Sequence, residues 1–331
     1  MIVACDNGFG HTRRSLLLAN KIADHGWTVD LLANPVAVKK MIGLYGIHKN
    51  VKPVEFFTRT NIEAFRGGNP VAWQNELPDP TLYDIVVSDN LPEILSIRPD
   101  TVISGSFLWH RAVEKVHPVF FNETERLMQQ YKPLMIACGL FAGPELEKFT
   151  RLYKVGLCVP VDHKKNKTSG SDLLIACGKS GLYEKPLRNF VARLVQSRQK
   201  RSFERVWIDP VLLPDLTPEW MRKATFDDSM YSRLGAAICR PGVGTLTDCL
   251  WYGIRVFCCF EKGNNEMKQN ARSIRQHGVG DYYETPGHAF EAACFYQTDL
   301  SAKKKYKKAL RSINFNGIDE SFQILANHIK A

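Results

Sequence analysis

Ala237-Ile-Cys-Arg-Pro-Gly-Val-Gly-Thr-Leu-Thr-Asp248 reads as the end of an apolar strand, a turn on two glycines and the opening of a helix. Gly242 and Gly244 lack a Cβ, so main-chain N–H groups there can come close to a phosphate. Thr245 adds a hydroxyl where the helix starts, and a helix N-terminus carries unpaired N–H groups and a partial positive charge. The natural guest is a diphosphate. Asp248 lies one helical turn beyond Thr245 on the same face, where a carboxylate can accept both hydroxyls of a ribose.

Downstream, Val256-Phe-Cys-Cys-Phe260 is a short run of β-formers that reads as a buried strand. The loop beyond it carries Glu261, Asn264, Asn265, Glu266 and Asn270, at the strand end where open α/β sheets bind ligands. A single glycine is more often a turn or packing residue than a ligand site. The ordered string Gly242-x-Gly244-Thr245-x-x-Asp248, Gly253-Ile254, Glu266-x-x-x-Asn270-Ala271 is far harder to obtain by chance. At the other end, Ile2-Val-Ala-Cys5 is a brief strand running into Asp6-Asn-Gly-Phe-Gly-His-Thr-Arg-Arg14, followed by Leu16, Leu17, Ile22 and Ala23 at helical spacing. This is not a dinucleotide fingerprint, because the third glycine is missing and no acidic residue ends the second strand, Val29-Asp-Leu-Leu-Ala33.

The segment from about Met230 to Gly280 resembles the donor-binding half of inverting, nucleotide-sugar-dependent glycosyltransferases of the two-domain GT-B type. Within them it is most similar to the family of the bacterial N-acetylglucosaminyltransferase that acts on the lipid-linked peptidoglycan precursor, and more distantly to plant and macrolide glycosyltransferases. The resemblance implies an α/β fold of two Rossmann-like domains with a cleft between them. It implies that Gly242, Gly244 and Thr245 hold a diphosphate, that Asp248 reads the ribose, and that Arg240 matches a basic residue at this turn. It places Glu266 and Asn270 toward the donor sugar, although Met267 stands where the family has Gln. The family also has a Gly-x-Gly-His turn at its N-terminus, here Gly8-Phe9-Gly10-His11, with the His facing the cleft.

An imidazole is the side chain suited to taking a proton near neutral pH. In an inverting transfer one base takes the proton of the acceptor hydroxyl as its oxygen attacks the anomeric carbon. His11 is the candidate base, and Asp89, at the end of the strand-like run Asp84-Ile-Val-Val-Ser-Asp89, is the carboxylate placed to orient it. His110, after Ser104-Gly-Ser-Phe-Leu-Trp, is the reserve. No Asp-x-Asp pair is present to hold a divalent ion, so a metal-independent reaction is expected, with a UDP-sugar as donor substrate and no cofactor. Two alternatives stay open: a UDP-sugar hydrolase of the kind found in sialic-acid-like biosynthesis, whose Gly-Phe-Gly-His turn is similar, and a non-catalytic donor-binding subunit.

At 331 residues the chain suits two domains, an acceptor-binding one over 1–160 and a nucleotide-sugar-binding one over 161–331. Residues 1–155 alternate β-rich runs (2–5, 28–33, 84–88, 101–104, 134–138) with helical stretches, the pattern of a parallel sheet covered on both faces. Phe56 to Pro80 lacks this regularity and reads as an acceptor-side loop, and Asp162 to Ser171 reads as the hinge. Asp172-Leu-Leu-Ile-Ala-Cys177 opens the second half and runs into Gly178-Lys-Ser180-Gly, a turn that resembles the family's second phosphate-facing loop, with Gly178 and Ser180 in the donor set. The loop after Val206-Trp-Ile-Asp209 is the candidate frame for the base, and Ile318 to Ile329 is an amphipathic closing helix.

With 44% apolar and 24% charged residues the composition is that of an ordinary soluble protein. No signal peptide or membrane span is legible, and the nine cysteines, none in a Cys-x-x-Cys pair, read as reduced core residues of a cytoplasmic protein. The net charge is +10, and nearly all of it falls in the second half: 27 Lys and Arg against 18 Asp and Glu after residue 160, compared with 17 against 16 before it. The cluster Ala302-Lys-Lys-Lys-Tyr-Lys-Lys-Ala309 reads first as a solvated helix face and second as a contact with an anionic membrane surface, whose inner-face placement would suit a lipid-linked acceptor. Without a nucleic-acid motif the charge does not point to DNA or RNA.

Overall fold

The computed structural model describes residues 1–58, 66–67, 72–160, 170–178, 183–197 and 202–330. They form two compact units, Met1–Val161 with Asn314–Ala331, and Asp162–Ile313. Each is built on one parallel sheet.

The first sheet contains β1 (Ile2–Ala4), β2 (Val29–Ala33), β3 (Val51–Glu55), β4 (Val87–Asp89), β5 (Val102–Ser104), β6 (Leu134–Cys138) and β7 (Arg151–Val155), in the order β3-β2-β1-β4-β5-β6-β7. Side chains alternate across it, as strand geometry requires. Ile2, Ala4, Leu31 and Ala33 face Leu16, Leu18 and Ile22 of helix α1 (Phe9–Asp24), while Val3, Cys5 and Leu32 share the opposite core with Phe120, Leu127 and Met128 of the helix Pro118–Tyr131. The two edge strands, β3 and β7, were not legible as strands because an edge strand is half exposed and loses its apolar signature. Pro53 is tolerated in β3 because that strand pairs on one side only.

The second sheet contains β8 (Asp172–Ala176), β9 (Val206–Ile208), β10 (Met221–Lys223), β11 (Leu234–Cys239), β12 (Arg255–Cys258) and β13 (Gly280–Tyr282), in the order β10-β9-β8-β11-β12-β13. Both sheets therefore change direction of winding next to their first strand, between β1 and β4 and between β8 and β11. A doubly wound sheet opens a crevice for ligands at that point, at the C-terminal strand ends. The α/β, two-Rossmann architecture expected from the sequence is the one observed.

The expected boundary differs at the far end, because the closing helix Gly317–Lys330 belongs to the first unit and not to residues 161–331 as one block. Its apolar face carries Ile318, Phe322 and Leu325 into the core beside α1. Phe322 stacks on His25 at 3.9 Å, Asp319 pairs with Lys21 at 2.6 Å, and Glu320 accepts the Gly156 N–H at 2.7 Å. The return is tight: a Cβ on Gly317 would lie 2.2 Å from the Gly156 carbonyl oxygen, so this crossing admits no side chain. The hinge expected at 162–171 lies almost wholly outside the described residues, as do large parts of 56–80.

Candidate active site

In the first unit, β1 ends at Ala4 and the chain turns through Gly8, whose φ of 97° favours glycine, into α1 without a side-chain cap. Gly10 and His11 occupy the second and third positions of that helix. β4 pairs with β1 in parallel, Ala4 opposite Asp89, so Asp89 ends its strand beside the point where α1 begins. His11 Nδ1 lies 2.5 Å from Asp89 Oδ1. The carboxylate is an acceptor, so Nδ1 carries the proton and Nε2 keeps its lone pair. Nε2 has no hydrogen-bond partner among the described residues, and the ring is 12% exposed.

Asp89 is 1% exposed and is held from three further directions. Arg14, one turn after His11, donates through Nε to Oδ2 at 2.9 Å and through Nη2 to Oδ1 at 2.7 Å, and the Ser15 hydroxyl reaches Oδ2 at 3.3 Å. Burial pushes the Asp89 carboxyl up, but Arg14 and His11 outweigh it and hold the group below the usual carboxylate range. Burial likewise works against the Arg14 charge, yet Asp89 carries its pKa upward. Trp109 packs tilted against the imidazole, ring centroids 5.9 Å apart. Asn90 sits at φ 60° directly after Asp89, and turning its amide end for end lets it donate to the Phe107 carbonyl and accept from Trp109 Nε1.

His110 has no part in this arrangement. Its side chain is fully buried, with Nε2 2.7 Å from Glu125, and burial pulls its pKa down to about 4. The reserve candidate is a core histidine, sealed from any substrate.

In the second unit, Gly242 caps the helix Val243–Trp251 with no side-chain hydrogen bond, and nothing lies within 4 Å of where its Cβ would be. Thr245 stands at the third helical position, and its hydroxyl has no partner among the described residues. Asp248 is half-buried one turn on and lies 3.5 Å from the Tyr231 hydroxyl, whose ring stacks on Tyr252. Gly178, at φ 71°, follows β8 on the neighbouring strand end, while Lys179 and Ser180 lie outside the described residues.

Four positions have surroundings that the sequence did not indicate. Asn270 is 2% exposed and donates to the Pro241 carbonyl at 2.9 Å, so it braces the glycine turn from behind. Met267 is buried in the core because its helix, Asn265–Gln276, turns that face inward, which leaves Glu266 as the partly exposed member of the pair. Arg240 is gripped by Glu261, and Asn264 donates to the same carboxylate at 2.7 Å. Asp209, at the proposed base-framing loop, is buried and accepts the Cys177 N–H at 3.3 Å.

Sequence reading missed Arg14, Ser15, Asn90, Trp109, Tyr231 and the role of Glu261. Only Arg14 left a signal: a charged residue one turn from His11 at the opening of an otherwise apolar helix needs a buried partner.

Residues 168–288 match the glycosyltransferase family 28 C-terminal domain. No curated protein matches the chain in sequence. Among solved structures it is similar to CalG4, the calicheamicin glycosyltransferase (16% identity, TM-score 0.67, 99% of this chain and 97% of that one). It is also similar to Arabidopsis thaliana UGT89C1 complexed with UDP (13% identity, TM-score 0.70, 100% of this chain and 98% of that one). SsfS6, a glycosyltransferase of Streptomyces sp. SF2575, matches at 13% identity and TM-score 0.59, over 98% of this chain and 99% of that one. The second unit thus carries the match to the family 28 C-terminal domain, and the whole chain shares the two-domain fold of glycosyltransferases of the GT-B type.

Proposed function

We propose that the protein is an inverting, metal-independent transferase that moves a sugar from a UDP-sugar to an acceptor hydroxyl, with His11 as general base. The observation that carries the reading is the His11–Asp89 contact, which leaves Nε2 as an unpartnered proton acceptor at the C-terminal end of the first sheet. His11 Nε2 takes the acceptor proton while the acceptor oxygen forms its bond to the anomeric carbon. The bond from that carbon to the diphosphate oxygen breaks on the opposite face, and UDP leaves with the electron pair. The N–H groups after Gly242, the Thr245 hydroxyl and the turn at Gly178 receive the departing charge, and Asp248 holds the ribose. One structural neighbour supports the nucleotide: Arabidopsis thaliana UGT89C1 is solved with UDP and with UDP-L-rhamnose, and also with quercetin, a molecule that bears hydroxyls.

The same site serves an acceptor presented at an anionic membrane surface. Lys304, Lys305, Lys307 and Lys308 are exposed on the helix Leu300–Leu310, and the side chains of Phe295 and Leu300 close to it in sequence are 67% and 74% exposed.

The test is turnover with UDP-sugars, with and without acceptor alcohols, alongside calorimetric binding of UDP. His11→Ala should lower kcat by about 10²–10⁴-fold with UDP affinity unchanged. Asp248→Ala should weaken UDP by about tenfold, roughly the worth of one hydrogen bond to a charged group. Equal turnover by wild type and the His11 variant removes the base assignment, and release of free sugar in the absence of any alcohol replaces transfer by hydrolysis.

A further inference from the structure

Arg14 does more than neutralise a buried acid. Its guanidinium spans both oxygens of Asp89, at 2.9 and 2.7 Å, and shares Oδ1 with the imidazole of His11. Ser15 fills Oδ2. A carboxylate has about four acceptor positions, and here all four contacts come from α1 itself. Asp89 therefore cannot rotate without breaking a two-point, charge-assisted pair, and the lone pair it presents to Nδ1 is fixed. The electrostatic consequence runs the other way. A carboxylate alone beside an imidazole stabilises the imidazolium, whereas a carboxylate already paired with a guanidinium offers much less of its charge.

We propose that Arg14 is a positioning residue for the proton transfer: through Asp89 it locks His11 in the tautomer with a free Nε2 and keeps the ring from being trapped as imidazolium. The proposal rests on the reading of His11 as the proton acceptor. The other groups facing this cluster are few. Cys138 on β6 is a buried thiol and Cys158 after β7 a partly buried one, both with raised pKa, and Glu320 on the closing helix is committed to Gly156 and Asn314. Arg14 also lines a small internal cavity with Ser104, Cys138, Cys158, Ile318 and Ser321, so α1 and the closing helix together set where its guanidinium lies.

The experiment compares Arg14→Met, Arg14→Lys and Asp89→Asn by the NMR titration of the His11 ring and by the pH dependence of kcat. In Arg14→Met the uncompensated carboxylate should hold the imidazolium to higher pH, moving the His11 titration and the acid limb of kcat upward by about one unit or more. Arg14→Lys keeps the charge and should leave the titration within a few tenths of wild type, while its single-point grip lowers kcat about tenfold at unchanged donor KM. Adding Arg14→Met to Asp89→Asn should move the titration no further, because Arg14 acts through that carboxylate. A merely structural arginine would lower the melting temperature and leave the His11 titration where it was, and that result overturns the proposal. The NMR arm needs no turnover, so a protein inactive on every UDP-sugar would refute the base assignment while still reporting on Arg14.

Discussion

Arg240 and Glu261 are joined at two points, Nε to Oε2 at 2.9 Å and Nη2 to Oε1 at 2.5 Å, across the C-terminal ends of β11 and β12. The side chains are 12% and 17% exposed, so the pair is more than a surface contact. Burial pushes the Glu261 carboxyl up, but the Arg240 bonds and charge bring it below its usual range. On the proposed function, a diphosphate arriving at Gly242 would meet a guanidinium that is already occupied, and a carboxylate of its own sign.

Glu261→Gln should therefore tighten UDP binding. The amide keeps the shape and one hydrogen bond but removes the competing charge, a difference of about 1 kcal/mol or a severalfold lower Kd by calorimetry. A weaker Kd in this variant would show that Glu261 holds Arg240 in its ligand-binding pose.

Glu93 gives a pH dependence of stability. It lies fully buried in the core behind β4, neither carboxyl oxygen has a partner among the described residues, and burial raises its pKa from 4.5 to about 8. The folded state keeps the proton where the unfolded chain releases it. Stability from this group is complete below pH 4.5 and is lost as pH rises toward 8, at up to about 1.4 kcal/mol per pH unit. Glu93→Gln should remove that slope, so its urea midpoint at pH 8 should exceed that of wild type while the two converge near pH 5. Parallel wild-type and variant profiles would mean that the carboxyl finds water or a partner.

The lysine helix makes a prediction about partners. Replacing Lys304, Lys305, Lys307 and Lys308 by Glu should abolish sedimentation with phosphatidylglycerol vesicles, since each surface cation is worth about 1 kcal/mol at such a membrane. Wild-type binding should fall with added salt and be absent on phosphatidylcholine vesicles. Failure of the wild type to bind anionic vesicles at low salt would leave the helix as a solvated face.

The two glycine turns were readable because their chemistry is local. A sharp strand-to-helix turn needs glycine within a few residues of a strand end and a helix start, and both appear in order at Gly8–His11 and Gly242–Thr245. The His11–Asp89 pairing was readable for a weaker reason, that parallel strands deliver their C-terminal ends to one edge. The bond from the Asn270 amide to the Pro241 carbonyl was not readable, because helix periodicity gives the buried face of Asn265–Gln276 only to within a residue, and Asn270 falls on its inner side.

Pattern and spacing alone indicated the α/β class and the two glycine turns between strand and helix, since each is written in neighbouring residues, and the doubling of the Rossmann unit was what the family resemblance implied. Tertiary structure alone decided that the last helix rejoins the first unit, that Arg14 shares Asp89 with His11, that Glu261 occupies Arg240 and that His110 is sealed in the core. These are contacts between segments far apart in the chain. Their existence depends on which side chains fill the space between packed elements, and no local periodicity records that.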